Sequence, residues 1–263
     1  MKTTTNPKMR NAKRGMRNKK NAASAAHSLR TLHSAFRTSL AFTLIELLVV
    51  IAIIGVLAGF TLVVVKSVKA SQYKSVARAE LERLETALEN YHAKYNAYPP
   101  SNQNPPSYYT APLDRSQFNQ LYYELSGVAN NGGSFVTLDG STSIAIADVT
   151  TAFGVGGFVN CTKGSGEDGV AAQNFISGLS AKQISGSVSN NGVPNNIFIT
   201  TSVGGPDDSY EPLGYYHLNP FRYLYPGVNN PGSYDLWVQL VISGQTNLIC
   251  NWSRTVQINS PLP

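Results

Sequence analysis

Residues 41–65 read AFTLIELLVVIAIIGVLAGFTLVVV, an apolar run interrupted by one carboxylate, Glu46. No other stretch restricts the fold as much. From Phe42 to Val65 it would form roughly 36 Å of helix at ~1.5 Å per residue, against a bilayer core of about 30 Å. The run therefore predicts one transmembrane helix over 42–65. Later apolar stretches, such as 236–242, are too short to span.

Ten of the chain's 21 Lys and Arg lie in residues 1–41, which contain no Asp or Glu. The remaining eleven stand against all 15 Asp and Glu, so residues 42–263 carry a net charge of −4. The excess of positive charge before the apolar run puts the leader in the cytoplasm and the rest across the membrane. It also removes the electrostatic case for nucleic acid as a partner of the exported part. A cleaved secretory signal fits poorly, because the apolar run is longer than an ordinary signal core and has no small-x-small site.

Residues 66–95 place Tyr73, Val76, Ala77, Leu81, Leu84, Leu88, Tyr91 and Tyr95 at three- and four-residue steps, the period of an amphipathic helix. Arg78 and Glu82 stand four apart, the spacing of a supporting ion pair. Nothing from 42 to 95 breaks the helical pattern, and the rod is expected to stop at Tyr98-Pro99-Pro100. Residues 99–116 read as a Pro/Asn/Ser connection and 117–126 as a short helix. Residues 126–206 are rich in Gly, Ser, Asn and Thr. They suggest short strands at 134–138, 144–146 and 197–201 and one helix near 169–180. Turn signals after Asn219 separate aromatic and β-branched runs, with last strands at 234–243 and 246–252 and a turn at Ser243-Gly244. A long helix against such a sheet is an α+β arrangement.

Two groups of residues resemble one family. Ala41-Phe42-Thr43-Leu44-Ile45-Glu46, with Gly55 in the apolar run, resembles the N-terminal signature of type IV pilins and type II secretion pseudopilins. The order from Asn219-Pro220-Phe221-Arg222-Tyr223 through Tyr225-Pro226-Gly227 to Tyr234-Asp235-Leu236 is similar to the C-terminal sheet of major pseudopilins. Ala41 stands where the family usually has Gly, and the late proline of many members is absent. The resemblance implies a pilin-like α+β fold. A membrane-spanning helix (42–65) and its amphipathic continuation (66–98) would carry a small antiparallel sheet head (99–263) with a variable insertion at 126–206. Cleavage would fall between Ala41 and Phe42, releasing the leader 1–41. Phe42 would be N-methylated and Glu46 would set the packing register of helices in a filament.

The function so implied is that of a structural pseudopilin, not an enzyme. It would reside in the bacterial inner membrane with a periplasmic head and polymerise into a secretion pseudopilus. Implied partners are further copies, minor pseudopilins, prepilin peptidase, the inner-membrane assembly platform and a cytoplasmic secretion ATPase. A type IV pilin for adhesion or DNA uptake, and a membrane-anchored periplasmic binding module, are the alternatives. Many major pseudopilins bind calcium after the aromatic-Asp-Leu strand, but this chain has no Asp or Glu beyond Asp235. No cofactor is expected, although Glu167-Asp168 and Asp207-Asp208 are oxygen ligands of the type calcium takes. His92 and His217 stand outside any catalytic motif, and no H-E-x-x-H, G-x-S-x-G or Walker sequence exists. Cys161 and Cys250 are either one disulfide or two buried thiols.

Overall fold

The computed structural model describes residues 42–102, 116, 118–163, 170–190, 193–203 and 218–261. Contacts divide the chain at Ala52/Ile53 into two units. The boundary falls inside α1, the helix Leu44–Tyr95.

In the second unit, α1 buries one stripe formed by Ala77, Leu81, Leu84, Ala87, Leu88 and Tyr91. These positions recur at three- and four-residue steps, so one face meets the head while the opposite face stays polar. The helix ends three residues before the expected Tyr98. Asn96 takes a left-handed φ of 54° and its N–H returns to the His92 carbonyl at 2.7 Å, a C-terminal cap. The prolines at 99 and 100 follow a helix that is already closed.

Strand β1 (Val128–Asn130) pairs antiparallel with β2 (Ser134–Thr137) and β2 with β3 (Ser143–Ala145). β4 (Cys161–Thr162) joins β1 in parallel. Before this sheet lies α2 (Leu121–Ser126), whose six residues are all buried. After β3 comes α3 (Ile146–Phe153), closed by Gly154 in the left-handed conformation. β5 (Val188–Asn190) and β6 (Val193–Asn196) form a separate ladder.

The C-terminal sheet is an antiparallel meander of β7 (Arg222–Leu224), β8 (Asp235–Ile242), β9 (Gln245–Cys250) and β10 (Ser253–Ile258), in the order β10-β9-β8-β7. Ser243 and Gly244, with φ of 52° and 74°, make the tight β8–β9 turn, whose two positive φ values match strand twist. Leu236, Val238, Leu240 and Ile242 join the main core with the α1 stripe. Trp237, Leu248 and Cys250, together with Trp252 and Leu224, form a second small cluster. Strand alternation puts these two sets on opposite faces.

Four expectations are corrected. The membrane-spanning helix is withdrawn: among the described residues no helix is long and apolar enough to cross a membrane. The head is not one small antiparallel sheet, since the described strands form two four-stranded sheets, one with a parallel pair, and a ladder. Residues 170–180 hold no helix. Their backbone donors leave the segment, Gln173 N–H to Asn160 Oδ1 at 2.9 Å and Phe175 N–H to the Leu125 carbonyl at 2.8 Å, and Asn174 closes its own turn onto Ile176 N–H. Finally, the Arg78 guanidinium reaches the carbonyls of Cys250 at 2.7 Å and Ser253 at 3.0 Å rather than Glu82, pinning α1 to the β9–β10 turn.

Candidate functional site

The sequence directs attention to the start of α1. Ala41 lies outside the described residues, as do the leader, Glu167-Asp168, Asp207-Asp208 and His217. Phe42 is 77% exposed and precedes the helix. Thr43 is the residue before the first helical position, and its carbonyl accepts the first helical hydrogen bond from Leu47 at 3.2 Å.

Thr43 and Glu46 bond reciprocally. The Thr43 hydroxyl oxygen accepts the Glu46 N–H at 3.2 Å. Glu46 Oε2 accepts the Thr43 N–H at 2.8 Å and the Thr43 hydroxyl at 2.9 Å. This is a capping box, which satisfies two donors that a helix start leaves open. Both contacts fall on Oε2. Thr-x-x-Glu ahead of an apolar run is the sequence signal for this cap; the register role implied for Glu46 by the resemblance leaves Thr43 without a part.

Glu46 lines an open apolar cleft with Phe42, Ile45, Val49 and Val50. Spacings of three, four, seven and eight residues from Phe42 put all five on one helix face. Large apolar side chains further along are exposed on the other faces too, Leu44 at 81%, Leu47 at 58% and Phe60 at 70%. Each would gain roughly 1.5–3 kcal/mol on full burial. Monomeric soluble proteins rarely expose a continuous apolar surface of this kind.

The other singled-out residues separate from this region. Cys161 lies in β4 and Cys250 in β9, both buried as free thiols, and burial pushes both pKa values up. His92 stacks on Tyr98 with ring centroids 4.4 Å apart. Asp235 is fully buried, and its carboxylate accepts the backbone N–H groups of Val228 at 2.8 Å, Asn229 at 2.8 Å and Asn230 at 3.0 Å. Gly227 gives the loop room to wrap it, since a Cβ there would meet Asp235 Oδ1 at 2.6 Å. Those oxygens are already occupied by donors, so the side chain acts as a loop anchor. Among the described residues no three His, Cys, Asp or Glu side chains come together as a metal site.

No protein-family model matches the chain, and neither a curated protein nor a solved structure matches it.

Proposed function

We propose that this chain is a structural subunit of a pseudopilus-type filament in the periplasm, built from further copies and minor pseudopilins by an inner-membrane platform and its ATPase. Prepilin peptidase would cut between Ala41 and Phe42 and methylate the new terminus. One observation carries the reading. The segment from Phe42 to Phe60 is apolar and exposed on all faces, with a single carboxylate beside its start. Like segments from neighbouring copies would cover that surface, and pairing of Glu46 with a cation would fix their stagger.

Mass analysis of the N-terminus of protein extracted from its native cells tests this. The expected product begins at a methylated Phe42 and is recovered from sheared or secretion-linked filaments. A retained leader on an unpolymerised chain would sink the filament reading. It would favour a binding module instead, for which the open groove lined by Asn130, Phe135, Phe158, Cys161 and Lys163 is the natural place to look.

A further inference from the structure

Glu124 is a second acid in an unusual setting. It sits in α2 with no exposed surface. Its Oε1 accepts the Val159 N–H at 2.9 Å, and its Oε2 accepts the Asn160 N–H at 3.0 Å and the Tyr91 hydroxyl at 3.0 Å. Its backbone carbonyl accepts Asn160 Nδ2 at 2.6 Å. Asn160 is equally buried, and its Oδ1 accepts the Tyr95 hydroxyl at 2.6 Å and the Gln173 N–H at 2.9 Å. Five pieces of chain therefore meet at this acid and amide: α1 through Tyr91 and Tyr95, α2, β1 through Val128 N–H on the Asn160 carbonyl, the approach to β4, and Gln173.

Among the described residues no cation bonds to this cluster. Among the described residues, the titratable groups facing Glu124 are the Tyr91 and Tyr95 phenols on α1, the Cys161 thiol on β4, the Lys163 ammonium just after β4, and the Tyr223 phenol on β7. Of these only Lys163 is positive, and it acts at a distance. A buried carboxylate without a partner charge is costly, whereas a protonated one is not. The Tyr91 hydroxyl suits both forms, because a phenol donates to the carboxylate or, turned round, accepts from the carboxylic acid.

We propose that Glu124 is a proton-operated lock between the head and α1, firm when the carboxyl holds its proton and loosened when it ionises. Burial, the largest influence, pushes its pKa above the ordinary carboxylate value and outweighs the pull of the three donors. The folded state then keeps the proton at pH values where the unfolded chain has lost it. The stabilisation is complete below the unfolded pKa and is lost as pH rises through the folded one. This is opposite in sign to a salt-bridged carboxylate. It stands independently of the filament reading, since every contact lies within one chain.

Infrared difference spectra of the full chain in detergent, between about pH 5 and about pH 9, read the proton directly over the span in which buried carboxyls titrate. The expected result is a protonated-carboxyl band that is lost on raising the pH and is absent from Glu124→Gln. Over the same span, hydrogen exchange of the Val159 and Asn160 amides should accelerate about tenfold beyond its intrinsic pH dependence in the wild type, and not in the variant. Absence of the band, or equal excess exchange in both proteins, overturns the proposal. Should Glu124→Gln fail to fold, Tyr91→Phe replaces it. The hydroxyl bonds the carboxylate more strongly than the neutral acid, so its loss should carry the band to higher pH, and a band that does not move overturns the proposal equally.

Discussion

Two stretches of α1 share a helix and differ in every other respect. From Leu44 to Phe60 the side chains are apolar in all directions and exposed, and the only acid, Glu46, bonds its own neighbour Thr43. From Ala77 to Tyr91 a narrow apolar stripe is buried, and the polar groups beside it reach into the head. Arg78 goes to the β9–β10 turn, Glu80 takes the Thr201 hydroxyl at 2.7 Å and Ser202, and Tyr91 goes to Glu124. The lesson concerns periodicity. A helix with one apolar face can be completed by its own chain, whereas one apolar all round finds no cover among the described residues.

The sharpest way to break that contrast is to remove the charge from the first stretch alone. Gln serves a capping box as well as Glu does, so Glu46→Gln should leave the helix start and head intact while the variant drops out of co-assembly with wild-type copies. Normal incorporation, measured by recovery in sheared filaments, would remove Glu46 from the assembly mechanism. Next in size is a pair of core and surface truncations. Leu88→Ala opens a cavity against a fully buried stripe and should cost about 2–5 kcal/mol of head stability. Leu48→Ala, 54% exposed, should stay within about 0.5 kcal/mol in the unassembled chain. Comparable losses at the two sites in thermal melts would mean that the first stretch is already covered.

What was legible in the sequence followed this same division. The 77–91 stripe could be read because burial on one face leaves a three-and-four pattern, and the β8–β9 hairpin because Ser243-Gly244 marks a turn between β-branched runs. The stretch 126–206 was not legible to the same degree. Ile144 lies in the strand expected at 144–146, yet the chain turns helical at Ile146, and the helix expected near 169–180 is absent from residues 170–180, whose donors serve Asn160 and Leu125. Side chains such as Glu124, Asn160 and Asp235 hold these loops through long-range bonds that leave no local period. β10 was missed for a similar reason: its exposed polar residues carry little alternation and its pairing depends on β9. At the candidate site, Phe42 and Glu46 stood out by motif, whereas Thr43 required reading the same four residues as a helix cap.

Arg78 offers a test of intermediate size. Its two short bonds hold carbonyls at the end of β9 and the start of β10, and charged hydrogen bonds of this kind contribute roughly 1.5–3 kcal/mol. Arg78→Ala should lower head stability by about that amount, and hydrogen exchange should rise first in residues 250–254. If Glu82→Gln proved as damaging, the helix-surface ion pair expected from spacing would regain the role that the carbonyl contacts hold here.

The smallest effect separates cap from charge. Thr43→Ala removes the hydroxyl that accepts the Glu46 N–H and donates to Glu46 Oε2, while the Thr43 backbone N–H contact to Oε2 survives. Loss of a capping side chain costs about 0.5–2 kcal/mol, and at the exposed end of a 52-residue helix the cost is felt as fraying of the first turn rather than as unfolding of the head. Amide exchange at residues 44–47 should therefore rise severalfold with the head's melting temperature unchanged, and Thr43→Ser should restore protection because it keeps the hydroxyl. Glu46→Gln should leave the same amides protected. If it frays them as Thr43→Ala does, the carboxylate charge and not the box geometry orders the helix start. The assembly defect of Glu46→Gln would then follow from lost local structure rather than from a missing charge.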